Sequence, residues 1–192
     1  MKEAWIRFMG RVTQQTAYDL LQVVDKKIQE KCERIHIMIS STGGSVFYGI
    51  SLHNYIRGAP VETYTYNFGS VDSIGVVLFC AGSKRFSVPH ARFLIHGVTL
   101  NINDKSGLDE KKLEEYLKGL KIDYQNIARV IADSTKRSAS EVEEDMNNRI
   151  TLNPQEAQNY GLVQDIKSEL FPVGVDISAV KEDITQQGQL QR

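Results

Sequence analysis

Strand-like and helix-like apolar patterns alternate along this chain up to Ile95, and that rhythm constrains the fold more than any other feature. Residues 5–9 alternate bulky and charged side chains and stop at Gly10, as a short strand does. Thr13 then caps a helix running to about Glu30, with Ala17, Leu20, Leu21, Val24 and Ile28 on one face. Residues 34–40 place Ile35, Ile37 and Ile39 on one side of a second strand, and Ser41-Thr42-Gly43-Gly44 breaks it. A helix follows over 45–55. Next comes a strand over 61–68, rich in β-branched and aromatic residues. The turn 69–72 leads into a small-residue helix over 73–81, then two short strands over 85–88 and 92–95. Such alternation implies an α/β fold, a mostly parallel sheet covered by helices.

Beyond Ile95 the pattern turns helical. Leu113, Leu117, Leu120, Tyr124, Ile127 and Ile131 follow one another at gaps of 4, 3, 4, 3 and 4, a seam along one long helix over about 108–134. That seam suits either the chain's own sheet or a second subunit. Ser140 with Glu143 reads as a capping box. Asn153-Pro154 with Glu156 opens a further helix, which Gly161 stops. A last strand is expected over 162–166. One domain over 1–176 accounts for these elements, with 177–192 as a C-terminal tail.

Composition removes several function classes. Lys and Arg number 23 against 24 Asp and Glu, a net charge of −1, so no basic excess points to nucleic acid or an anionic membrane surface. No apolar run approaches the roughly 20 residues that span a bilayer, and the start has no signal core. The two cysteines, Cys32 and Cys80, make no CxxC pair, and a reducing cytoplasmic location is the expectation. Among His36, His53, His90 and His96 there is no HExxH pair or Cys/His cluster, so neither a metal nor another cofactor is expected.

Three elements carry chemistry together. Ser73 opens a helix directly after a turn, where unpaired backbone N–H groups can stabilise an oxyanion. His96 ends an apolar strand. The Gly43-Gly44 turn offers a further backbone N–H at the C-terminal edge of the sheet, so Gly44 and Ile74 could form an oxyanion hole. Val71 stands where a GxSxG elbow needs glycine, which disfavours an α/β-hydrolase.

These residues resemble a known family. Ile39-Ser40-Ser41-Thr42-Gly43-Gly44-Ser45-Val46 is similar to the INSPGGSV segment of ClpP, the proteolytic subunit of the Clp protease. Asp72-Ser73-Ile74-Gly75 resembles that family's ASMG nucleophile turn. Ala81-Gly82, Lys84-Arg85-Phe86, Pro89 and Ile95-His96 follow its next conserved stretch, two residues shorter. Glu156-Ala157, Tyr160-Gly161-Leu162 and Asp165 resemble its ending, and the step of 29 from Gly44 to Ser73 is the family's. The resemblance implies a ClpP/crotonase-type spiral of repeated β-β-α units with a projecting handle helix. It implies a serine endopeptidase cleaving peptides or unfolded segments inside a homo-oligomer of stacked rings, heptameric rings among the options. Ser73 would be the nucleophile, His96 the base, and Gly44 and Ile74 the oxyanion donors.

The third triad member departs from the pattern. Ungapped counting back from Glu156-Ala157 puts Arg149 at the acidic position, and one inserted residue puts Asn148 there. Asn148 can orient an imidazole but cannot neutralise an imidazolium, whereas arginine can accept nothing. Asp145, one helix turn away, is a substitute, and an empty third position is the remaining option. A catalytically weak or inactive ClpP-like structural subunit is therefore the alternative reading, and a crotonase-type acyl-CoA enzyme a further one. His36 and Met38 replace aromatic positions of the family's docking strand, which leaves a Clp-type ATPase partner open.

Overall fold

The structure, a computed structural model, describes residues 2–100, 102 and 107–182. Strand β1 (Glu3–Met9) leads to helix α1 (Gln14–Gln29), strand β2 (Arg34–Ser41) and helix α2 (Val46–Gly58). Strand β3 (Glu62–Asp72), helix α3 (Ile74–Phe79) and strands β4 (Lys84–Ser87) and β5 (Arg92–Leu94) follow. The second half holds α4 (Glu110–Thr135), α5 (Ala139–Asn148), β6 (Thr151–Leu152), α6 (Pro154–Tyr160), β7 (Asp165–Ile166) and β8 (Ile177–Lys181).

The sheet runs β6-β5-β3-β2-β1-β8, with β4 joined to β3 and β7 joined to β4. All its described pairs are parallel except β5 with β6. Parallel strands need both faces covered, and β2 is accordingly buried on both. Ile35, Ile37 and Ile39 face α1, α2 and α3 in the main core with Ile6, Phe8, Leu20, Leu52 and Phe79. Each such side chain contributes roughly 1.5–3 kcal/mol on leaving water. The opposite face holds a smaller aromatic cluster of Met38, Tyr64, Tyr66 and Phe86. His36 belongs to that face. A strand histidine reads from sequence as a surface or edge residue, yet this one is 6% exposed because Trp5 stacks on it at 4.5 Å between ring centroids.

Strand β3 is longer than its sequence pattern suggests, because it serves two partners in turn. Tyr64 to Asn67 pair with β4, and Ser70 to Asp72 pair with β5. Asn67 makes the change possible: its amide donates to Arg92 O at 2.8 Å and its side-chain oxygen accepts from Gly69 N at 3.0 Å. The apparent turn over 69–72 is thus the continuation of the strand that delivers Ser73.

Helix α4 is 26 residues long, about 39 Å at 1.5 Å per residue. Asp109 caps it by accepting from Lys112 N. The expected seam divides along its length. Ile127 and Ile131 are buried in the chain's own core, while Leu113 and Leu117 are 47% and 51% exposed. Helix α5 starts two residues earlier than the Ser140–Glu143 box implies. Its capping box is Ser138 with Glu141, which turns Val142 and Met146 into the core. Asn153, Pro154 and Glu156 open α6 as the sequence indicates. The stretch read as the start of a tail supplies β8, which pairs in parallel with β1 and buries Val180. Covering the β1 edge satisfies backbone groups that would otherwise stand open to another chain.

Candidate active site

Ser73 follows the last residue of β3 and precedes α3 with φ 59° and ψ −130°. A non-glycine residue held there costs on the order of 1–3 kcal/mol, and the surrounding structure must enforce it. Two hydrogen bonds do so: Ser73 N donates to Leu94 O at 2.8 Å, and Ser73 O accepts from Val76 N at 2.9 Å. The Ser73 hydroxyl makes no cap bond to the helix, so a simple N-cap does not explain this serine. Its neighbour Asp72 is buried and fully engaged, accepting from Ser70 Oγ at 2.7 Å and from the Arg92 guanidinium at 2.8 Å.

The glycine pair packs directly on this turn. Gly43 has φ +90°, and a Cβ there would lie 2.7 Å from Ser73 Cβ. Gly44 has φ +149°, and a Cβ would lie 2.2 Å from Val12 O. Val12 N donates to Gly43 O and Val12 O accepts from Ser45 N, both at 2.8 Å, so the two glycines are clamped between β1's exit and β3's end. Gly44 N and Ile74 N have no partner among the described hydrogen bonds, and both residues line one cavity.

That cavity of about 240 Å³ is lined by Gly44, Ser73, Ile74 and His96, together with Arg11 and Ile127 among others. His96 follows β5. Its Nδ1 lies 2.7 Å from Gly97 O, a carbonyl that only accepts, so Nδ1 is the donor in this bond. No hydrogen bond joins His96 to the Ser73 hydroxyl among the described residues. Catalytic bonds commonly tighten only when substrate is present.

Asn148 does not line the cavity. It is exposed at the end of α5, in the segment directly opposite His96: Ile95 N donates to Ile150 O at 2.9 Å and Gly97 N to Met146 O at 3.0 Å. Arg149 between them takes the left-handed conformation that ends α5. Among the described residues neither Asn148 nor Asp145 is hydrogen-bonded to His96. The Asp145 carboxylate instead accepts from the Tyr160 hydroxyl at 2.7 Å. Burial first, and that carboxylate second, push the Tyr160 hydroxyl well above its ordinary pKa. Among the described residues no group of three or more His, Cys, Asp or Glu side chains could hold a metal.

The model of the Clp protease family matches residues 1–169. This chain belongs to the Clp protease family. The ATP-dependent Clp protease proteolytic subunit 2 of Corynebacterium glutamicum is 26% identical over 147 residues, 76% of this chain and 71% of that protein. The ATP-dependent Clp protease proteolytic subunit of Bdellovibrio bacteriovorus is 27% identical over 169 residues, 86% of this chain and 79% of that protein. A solved structure of a point mutant of ClpP1 from Listeria monocytogenes superimposes with a TM-score of 0.76 at 26% identity, over 86% of this chain and 91% of that one. The α/β fold is therefore that of ClpP, and the likeness to Clp proteolytic subunits supports protease-type function. No helix among the described residues is long and apolar enough to cross a membrane.

Within this Clp protease fold, two features of the site escaped the sequence reading. The Asp72–Arg92 pair joins residues 20 apart and has no local signature. Arg11 had one signal, its place just after the C-terminal end of a parallel strand, where ligand sites of such sheets gather.

Proposed function

We propose that this chain is a ClpP-like serine endopeptidase that cleaves peptides or unfolded segments within an oligomeric chamber. The observation that carries this reading is the strained Ser73, φ 59°, in one cavity with His96 and two unpartnered backbone N–H groups. Ser73 Oγ attacks the scissile carbonyl while His96 Nε2 takes its proton. The oxygen of the tetrahedral intermediate receives hydrogen bonds from Gly44 N and Ile74 N. Its collapse expels the amine, protonated by His96, and leaves an acyl group on Ser73. Water, deprotonated by the same nitrogen, then releases the second product. Strain at Ser73 suits this chemistry, because the hydroxyl is not spent on capping the helix and the residue lines the cavity.

A weak or latent form of the same site is the second reading. It is favoured by His96 Nδ1, which bonds its own neighbour's carbonyl rather than a side chain, and by the commitment of Asp145 to Tyr160. Asn148, on the segment opposite His96, is the residue that would complete the triad after rearrangement.

Assembly into facing rings would cover the exposed Leu113 and Leu117 of α4 with the same stripe of an opposing subunit. Labelling with a fluorophosphonate tests the reading. Covalent attachment at Ser73, lost in Ser73→Ala and strongly slowed in His96→Ala, is the expected result. An unlabelled, folded protein would leave the chain a non-catalytic member of its family.

A further inference from the structure

We propose that Arg11 makes the cleft selective for a carboxylate on the peptide, close to the bond that is cut. The inference rests on the cleft being a peptide site, as proposed above. Arg11 has its main chain fixed on every side. Its N–H donates to Glu182 Oε2 at 3.0 Å and its carbonyl accepts from Thr16 Oγ1 at 2.7 Å. The flanking Gly10 N donates to Ser40 O and Val12 N to Gly43 O. The exposed side chain has no hydrogen bond or ion pair among the described residues, and its anchored Cα shares the cavity rim with the proposed oxyanion donor Gly44.

That side chain lines two cavities. One holds Ser73 and His96, and the other opens beside it over Ser40, Thr42, Ser70 and the Glu182 carboxylate. Among the described residues no Asp or Glu lines the first cavity, and apart from His96, Arg11 is the one side chain there that can carry charge. Among the described residues no carboxylate pairs with the Arg11 guanidinium. Asp72, the acidic residue next to Ser73, is already bonded to Arg92. Among the described residues the Ser73 cavity therefore has a fork of N–H donors at its rim and no carboxylate in its lining, and the nearest acid to Arg11, Glu182, lies on the side of the neighbouring cavity. A peptide carboxylate fits that fork with two parallel hydrogen bonds. It can come from an Asp or Glu side chain or from a free C-terminus.

The test uses the full chain with Ser73→Ala, which can hold peptides without turning them over. Short labelled peptides, blocked at both ends, carry Glu, Gln or Lys at one varied position, and a fourth carries Gln with a free C-terminal carboxylate. Fluorescence anisotropy at low salt reads the affinities. A carboxylate peptide is expected to bind about fivefold to tenfold tighter than the blocked Gln peptide, the range of one charge-assisted contact at an exposed site. The preference should vanish with Arg11→Gln, turn toward the Lys peptide with Arg11→Glu, and shrink in high salt. A gain confined to the free C-terminus assigns the carboxylate to a chain end, and a gain with internal Glu assigns it to a side chain. Equal affinities, no binding by any peptide, or a preference that survives Arg11→Gln overturns the inference. Fluorophosphonate labelling separates the two ideas. Labelled Ser73 without a carboxylate preference removes only the role of Arg11, whereas a preference without labelling removes hydrolysis and keeps the site.

Discussion

Ser73 and Leu94 are joined by one backbone hydrogen bond of 2.8 Å, which ties the turn carrying the proposed nucleophile to the strand that the proposed base follows two residues on. The distance between Ser73 and His96 is thus governed by the register of β5 on β3, Val71 opposite Phe93 and Asp72 opposite Leu94. Phe93 locks that register from inside the core, where it is wholly buried against Phe79. A change in the packing of Phe93 should therefore act on catalysis without touching the cavity.

The strain at Ser73 gives the first prediction. Glycine adopts positive φ at little cost, so Ser73→Gly should stabilise the chain by about 1 kcal/mol, or roughly 2–4 °C in melting temperature for a protein of this size. Peptide hydrolysis should disappear in the same variant. Thermal melts set beside a peptidase assay read both, and a lower melting temperature would show that the turn is not strained.

A second expectation concerns the third triad position. In a serine protease the loss of the carboxylate lowers turnover by about 10⁴-fold. Restoring one with Asn148→Asp should recover a part of that, at least about tenfold in kcat, since the side chain starts on the segment opposite His96. Steady-state kinetics with a fluorogenic peptide give the answer. Unchanged kcat would place the role at Asp145 or at no residue.

The exposed end of α4 yields the third. Ile127 is part of the subunit's own core, so an assembly test belongs further up the helix, at Leu113 and Leu117. Leu113→Glu with Leu117→Glu should leave helical content unchanged and break stacked species into smaller ones, as read by light scattering. A wild-type protein that scatters as a monomer of 21.7 kDa removes the chamber from the proposed function.

The fourth rests on His36. Burial between Trp5 and the aromatic cluster lowers its pKa, outweighing the nearby Glu3 carboxylate. The folded state therefore holds His36 neutral at a pH where the unfolded chain, with an ordinary histidine value of about 6.5, takes up a proton. Unfolding then binds protons, and stability rises with pH. His36 contributes fully above about pH 6.5 and progressively less below it. His53 acts in the same direction, because burial lowers its pKa too. Melting temperatures should fall between pH 7 and pH 5, and less steeply for His36→Gln. A flat wild-type profile contradicts the burial argument.

Much of this molecule was determined by local sequence. Isoleucines at every second position of β2 can only make a strand with one apolar face. Thr13, Asn153 with Pro154, and Gly161 start or stop helices through bonds that reach no further than three or four residues. Gly43, Gly44 and Ser73 could be marked because a turn at the end of a parallel strand needs small residues and exposes N–H groups.

Tertiary structure decided the rest. Whether Ile127 meets its own core or a partner depends on where α5 and the sheet stop, which no periodicity along α4 encodes. His36 became a core residue because β1 and β3 flank its strand and Trp5 covers its ring. Strand β8 formed because β1 offered an open edge, despite the polar stretch that follows it. Where Asn148 lies relative to His96 depends on where α5 ends, at the left-handed Arg149. Such outcomes rest on contacts between residues tens of positions apart, and the pairwise energies involved exist only once the sheet has brought those residues together.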